Sequence, residues 1–280
     1  MLCLPEPGMY VADATEGLAG LPDASVDLIV TDPAYESLEK HRNQGTTARL
    51  GGGAKSNRPW FPVVPNSYFP RFFYECFRVL KPRSYLFCFC DDETSDIIRP
   101  QIIDVKFEWR KRLVWSKQTV NPQRRACKYC EDTVRCQKCG HEHREHNPAM
   151  GMGYPFRAAY EFIAFAQKGK RKPPPNRSML DVFTDPIIKS KDAYPTAKPV
   201  SLIRKLIGQG SFEGDLVVDP FAGSGATLTA AAETGRRYLG FDILESTVEA
   251  FTGVEIKRAE AAEREAEEPE SENILDLFGL

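Results

Sequence analysis

The stretch from Gly214 to Ile243 constrains the fold of this chain more than any other. Leu216-Val217-Val218 is an apolar run that stops at an acid, Asp219, and Pro220-Phe221-Ala222-Gly223-Ser224-Gly225 follows at once. Glycines at 223 and 225 let the backbone turn tightly and approach a ligand. Ala226 to Glu233 is built of good helix formers. A second apolar run, Arg237 to Ile243, carries Asp242 near its end. Strand, glycine turn, helix, strand and acid follow in the order of a nucleoside-binding α/β unit, with Asp242 placed for ribose hydroxyls. The spacing is Gly-x-Gly rather than Gly-x-Gly-x-x-Gly, which disfavours a dinucleotide. A plain strand–helix turn is the alternative; Asp219, Phe221 and Asp242 together weigh against it.

A second strand end carries different chemistry. Val26-Asp27-Leu28-Ile29-Val30-Thr31 runs into Asp32-Pro33-Ala34-Tyr35. A carboxylate, a carbonyl beside a proline and an aromatic ring suit an exocyclic amine on a flat base. The carboxylate and the carbonyl of Pro33 accept its two hydrogens, and the Tyr35 ring stacks on the base.

Between these sites the chain alternates. Strands are expected at Tyr10 to Ala12, Val26 to Thr31, Tyr85 to Cys90, Arg112 to Trp115 and Glu161 to Gln167. Helices are expected at Tyr68 to Leu80, Glu93 to Ile103 and Val200 to Ile207. Such alternation predicts an α/β fold with a doubly wound, mainly parallel sheet. Ligands then sit beyond the carboxyl ends of the strands, where Asp13, Asp32, Asp219 and Asp242 all fall. Asp13 reads either as a cofactor-side acid or as a helix N-cap.

On these residues the chain resembles the DNA amino-methyltransferases. Asp32-Pro33-Ala34-Tyr35 is similar to their Asp-Pro-Pro-Tyr motif, and Asp219 to Gly225 to their S-adenosylmethionine motif. Tyr194-Pro195-Thr196-Ala197-Lys198-Pro199 resembles the His-Pro-Thr-Gln-Lys-Pro segment that precedes it. The catalytic motif comes first, the permuted order of the β group. The resemblance implies a seven-stranded class I methyltransferase sheet with one antiparallel edge pair. It implies catalytic Asp32, Pro33 and Tyr35. It places S-adenosylmethionine on Asp13, Lys198, Asp219, Phe221, Ala222, Gly223, Gly225 and Asp242. It also implies double-stranded DNA as partner, with the target base flipped out of the helix. Adenine N6 is the expected acceptor, because relatives with an acid at position 32 more often modify adenine; cytosine N4 is the alternative. Ala34, Tyr194 and Ala197 depart from the family pattern.

The net charge of −2 looks unsuited to DNA, but its distribution is uneven. The last 26 residues hold nine acids against three bases, leaving 34 bases and 30 acids in the body. Clusters at Lys168 to Lys172 and Arg110 to Arg125 are candidates for phosphate contact. The long basic, glycine-rich segment 36–67 follows the catalytic motif and is expected to contact DNA. His41 within it reads as a surface or phosphate-contacting residue.

Cys127-x-x-Cys130 and Cys136-x-x-Cys139 offer four thiolates to one tetrahedral ion, with structural zinc as the expected occupant. The gap between the pairs is short, so His141, His143 or His146 stands as a substitute ligand. The expected division is therefore a catalytic half, 1–120; a metal-binding insertion, 121–150; the remainder of the methyltransferase domain, 151–256; and an acidic tail, 257–280. The tail ends in an apolar tip similar to peptides that dock on sliding clamps, though it lacks their leading Gln. No run of about 18 apolar residues exists for a membrane span, and cytoplasmic residence is the default expectation. A monomer or a homodimer fits equally well. Methylation of RNA or a protein amide, and a non-enzymatic DNA-binding module, are the other classes weighed.

Overall fold

The computed structural model of the chain describes residues 5–41, 62–117, 158–170, 173–187 and 197–254. Among them one eight-stranded sheet runs in the order β1-β8-β7-β2-β3-β5-β4-β6. The strands are β1 (Gly8–Val11), β2 (Val26–Thr31), β3 (Leu80–Cys90), β4 (Glu108–Ser116), β5 (Tyr160–Gln167), β6 (Val182–Thr184), β7 (Leu216–Asp219) and β8 (Arg237–Asp242). The helices are α1 (Ala14–Ala19), α2 (Phe69–Val79), α3 (Asp92–Asp104), α4 (Val200–Gly210) and α5 (Ala226–Ala232).

Both faces of the sheet are covered. Ile29 of β2 points into one core with Phe69, Phe72, Phe73, Cys76 and Val79 of α2 and Ile98 and Ile102 of α3. Its neighbours Leu28 and Val30 point to the other face, against Leu202, Ile203, Leu206 and Ile207 of α4. The two-residue side-chain period of a strand buried on both sides explains why Leu28-Ile29-Val30 at the centre of β2 is apolar at every position, while the buried Asp27 before it is paired with Lys81. Helix α2 fits the first face because its phenylalanines recur at spacings of three and four.

The seven-stranded expectation is corrected to eight. β6 is a three-residue edge strand pairing parallel with β4, Val114↔Val182 to Ser116↔Thr184. Its sequence is too short for periodicity to reveal. β5 is antiparallel to both neighbours, β3 and β4. β3 begins five residues earlier than expected, at Leu80, where Lys81-Pro82 suggests only the stop of α2. Pro82 is tolerated because the β2–β3 register slips between Val26↔Leu80 and Leu28↔Tyr85, and Arg83 there takes a left-handed φ of 72°. A proline at a ladder irregularity removes no paired N–H. Helix α1 is an addition to the expected elements. Its cap is Asp13, whose Oδ1 accepts the N–H of Thr15 at 2.9 Å and of Glu16 at 3.3 Å.

Among the described residues no helix is long and apolar enough to cross a membrane. The cysteines at 127, 130, 136 and 139, most of segment 36–67 and the tail beyond residue 254 lie outside the described residues. Within the described residues no group of three or more His, Cys, Asp or Glu is arranged to hold a metal.

Candidate active site

The sheet order joins the two motifs. β2 and β7 are parallel neighbours, Leu28↔Val217 and Ile29↔Val218, although nearly 190 residues separate them in sequence. Their carboxyl ends therefore place Asp32 beside Asp219. β8 pairs β7 on its other side, Asp219↔Gly240, and β1 pairs β8, Val11↔Asp242. Asp13, Asp242, Asp219 and Asp32 thus stand along one rim, at the crossover where a doubly wound sheet binds its ligand.

The glycine turn is built for close approach. Gly223 and Gly225 have φ of 48° and 73°, left-handed values that a side chain disfavours. The Gly223 N–H donates to Asp242 Oδ2 at 3.1 Å and the Leu244 N–H to Oδ1 at 2.8 Å. Both oxygens retain lone pairs for hydroxyl donors. Burial raises the Asp242 carboxyl above its ordinary value, against the two N–H donors. Ile243 and Leu244 are exposed beside it. A fixed carboxylate, a bare glycine turn and apolar neighbours fit the ribose and base of a nucleoside. Asp219 is buried, and burial pushes its carboxyl up to about 7, partly offset by the Thr227 hydroxyl and the Phe221 N–H. Phe221 packs edge-on against Phe72 at 5.3 Å, so its ring braces the turn from the core side.

Asp13 is a helix N-cap on this rim. Its carboxylate caps α1 and accepts the Tyr68 hydroxyl at 2.8 and 2.9 Å.

The Asp32–Tyr35 segment is anchored at several points. The Val64 N–H donates to the Ala34 carbonyl at 2.8 Å and the Leu38 N–H to the Tyr35 carbonyl at 3.1 Å. Ser37 donates to Asp91 Oδ2 at 2.6 Å, tying the segment to the N-cap of α3. Tyr35 is buried in this state. Burial, followed by the charges of Glu161 and Asp32, raises its phenol well above the ordinary value, so it stays protonated.

Three further charged groups surround Asp32. Lys198 donates to Asp32 Oδ2, and its Nζ lies 3.2 Å from Glu161 Oε2; Lys117 pairs with the other oxygen of Glu161. The Lys198 ammonium also faces the rings of Phe89 at 5.2 Å and Trp115 at 5.9 Å. Burial works against the charge of Lys198, but the two carboxylates win and raise its basicity. Burial likewise opposes the charge of Glu161, and the two lysines overcome it and hold its carboxyl below the usual range. At Asp32 burial outweighs the pull of Lys198, and the net direction is upward. Sequence reasoning places Lys198 at the cofactor's methionine end and misses Glu161 and Lys117. A single acid at a strand start carries no signal of its own; only the antiparallel pairing Trp115↔Glu161 brings these groups to the rim.

Several described residues of the two basic clusters have partners within the fold. Lys168 leaves the far end of β5, opposite the rim, and donates to the Phe77 and Leu80 carbonyls, each at 2.6 Å. Lys111 and Arg112 pair with Asp181 and Asp96. These cations serve the fold's own acids and carbonyls.

Sequence comparison decides the family. The N6_N4_Mtase profile, described as DNA methylase, matches residues 26–253. This chain belongs to the N6/N4 DNA methylase family. DNA adenine methyltransferase YhdJ of Escherichia coli (strain K12) is 25% identical to this methylase over 252 residues, covering 82% of this chain and 76% of YhdJ. TTHA0409 of Thermus thermophilus, complexed with S-adenosyl-L-methionine, has a TM-score of 0.58 at 23% identity, covering 88% of this chain and 91% of that one. PvuII DNA methyltransferase (cytosine-N4-specific) has a TM-score of 0.60 at 15% identity, covering 88% and 86%. At such identities the two structures establish the methylase fold alone.

Proposed function

We propose that this methylase transfers a methyl group from S-adenosylmethionine to the N6 amine of an adenine everted from duplex DNA. The observation that carries the reading is the adjacency of β2 and β7, which sets Asp32 beside the glycine turn. A nucleoside cofactor fits that turn, with Asp242 accepting the ribose hydroxyls. Asp219 and Phe221 hold the turn's shape. The kinship to YhdJ supports adenine, and the fold of TTHA0409 in its S-adenosyl-L-methionine complex supports the cofactor. Cytosine N4 is the second reading, supported by the fold shared with PvuII methyltransferase. The catalytic motif preceding the cofactor motif supports the permuted β-group order.

When bound, S-adenosylmethionine supplies an electrophilic methyl on sulfur. The chain's own contribution is positional. Asp32 and the Pro33 carbonyl accept the two amine hydrogens, which turns the nitrogen lone pair away from them and toward the glycine turn. The amine becomes acidic only as its new bond forms, so Asp32 need not be a strong base beforehand. Catalysis then rests on orientation and on a carboxylate placed where positive charge develops.

The decisive experiment pairs wild type with Asp32→Ala. Tritiated methyl transfer to duplex DNA, followed by nucleoside analysis, identifies the modified base. The variant is expected to lose transfer while keeping cofactor affinity by calorimetry. Full activity in Asp32→Ala refutes the assignment, and N4-methylcytosine as product selects the second reading.

The Cys127, Cys130, Cys136 and Cys139 quartet is proposed to hold one structural zinc ion. Its support is the paired Cys-x-x-Cys spacing.

A further inference from the structure

The group that stands where the target amine must bind is Lys198. Its ammonium donates to Asp32 Oδ2, the kind of contact an exocyclic N–H makes. An entering base must therefore displace a buried cation. An ammonium left unpaired between the Phe89 and Trp115 rings is strongly disfavoured, so the displaced cation needs a second anion within reach. Glu161 is that anion. Its Oε2 is already 3.2 Å from Lys198 Nζ, and Lys117 secures its other oxygen.

We propose that Glu161 is a positioning residue that takes Lys198 from Asp32 when the target amine enters. The inference rests on the amine-methylation reading above. The move needs only a rotation of the lysine side chain, since both carboxylates already lie around its Nζ. It is also electrically balanced. Two carboxylates and two ammonium groups sum to zero before and after, and the incoming amine is neutral. Asp32 is thereby freed as an acceptor at the moment a donor arrives, and in the absence of a base its charge stays neutralised by Lys198. Glu161 does not touch the base; it acts through Lys198.

The test is a double-mutant cycle on the full-length enzyme. Single-turnover methyl transfer is measured for wild type, Glu161→Gln, Lys198→Met and the double variant. Glu161→Gln is expected to slow transfer by roughly 30-fold or more, the loss typical of removing one partner of a buried charge pair. Cofactor affinity should stay within about threefold, because Asp242 and the glycine turn are untouched. In the Lys198→Met background the same substitution should cost less than about threefold, since no cation remains to be rehoused. Equal losses in both backgrounds overturn the proposal and leave Glu161 a purely structural role. So does an unslowed Glu161→Gln. If that variant does not fold, Glu161→Asp keeps the charge and withdraws it by one methylene; it should slow transfer, again only when Lys198 is present, and an unchanged rate overturns the proposal. Wild-type enzyme that transfers no methyl to a DNA amine removes the underlying reading, and this inference with it.

Discussion

Replacing Gly225 with alanine tests the cofactor turn by its geometry. The residue sits at φ 73°, and a Cβ placed on it would lie 2.1 Å from Phe251 Cδ2 and 2.4 Å from Cε2. Two costs follow. The left-handed conformation costs an L-residue about 1–2 kcal/mol. Forcing a methyl into the packed ring costs about 1–3 kcal/mol more. Gly225→Ala should therefore destabilise the protein by roughly 2–5 kcal/mol, a large share of the 5–15 kcal/mol typical of a domain. Urea unfolding followed by circular dichroism measures it. The two costs separate in a Phe251→Ala background, where the overlap is gone and the backbone penalty remains. There the same substitution should cost only about 1–2 kcal/mol. Calorimetric titration with S-adenosylmethionine should show weakened binding in both backgrounds, because the turn that approaches the nucleoside is distorted. A loss below about 0.5 kcal/mol, or an equal loss in both backgrounds, refutes the reasoning.

Asp219→Asn probes burial at the strand end. Its carboxyl is raised from 3.8 to about 7 in the folded state. Below pH 4 both states hold the proton; between pH 4 and 7 only the unfolded chain releases it, so stability falls as pH rises and levels off above 7. The variant lacks this slope, and its advantage over wild type should grow across that window by up to roughly 4 kcal/mol; parallel urea midpoints from pH 4 to 8 would contradict it. Tyr35→Phe keeps the ring and should retain transfer within a fewfold, whereas Tyr35→Ala should weaken both turnover and base binding and destabilise by about 3–5 kcal/mol. Equal turnover in the two variants, in transfer assays at saturating cofactor, would remove the ring from the site. Purified protein should carry one zinc per chain by elemental analysis, and substituting Cys127 and Cys130 with serine should abolish it; a full metal complement in that variant would refute the ligand set.

The sequence by itself determined the strand ends and their chemistry. Asp32-Pro33-Ala34-Tyr35 and Asp219 to Gly225 are local signals: each is an apolar run with an abrupt polar stop. The two apolar faces of β2 were legible in Leu28-Ile29-Val30, since burial on both sides favours consecutive apolar residues. The tertiary structure decided what long-range pairing decides. It set β2 against β7, added β6 as an edge strand, and tied the Asp13 cap to Tyr68. It sent Lys168 to the opposite rim and brought Glu161 and Lys117 to Asp32. The physical reason is that a lone charged residue has no periodicity. Its role depends on which counter-charge or carbonyl it meets, and that partner is supplied by strands distant in the chain.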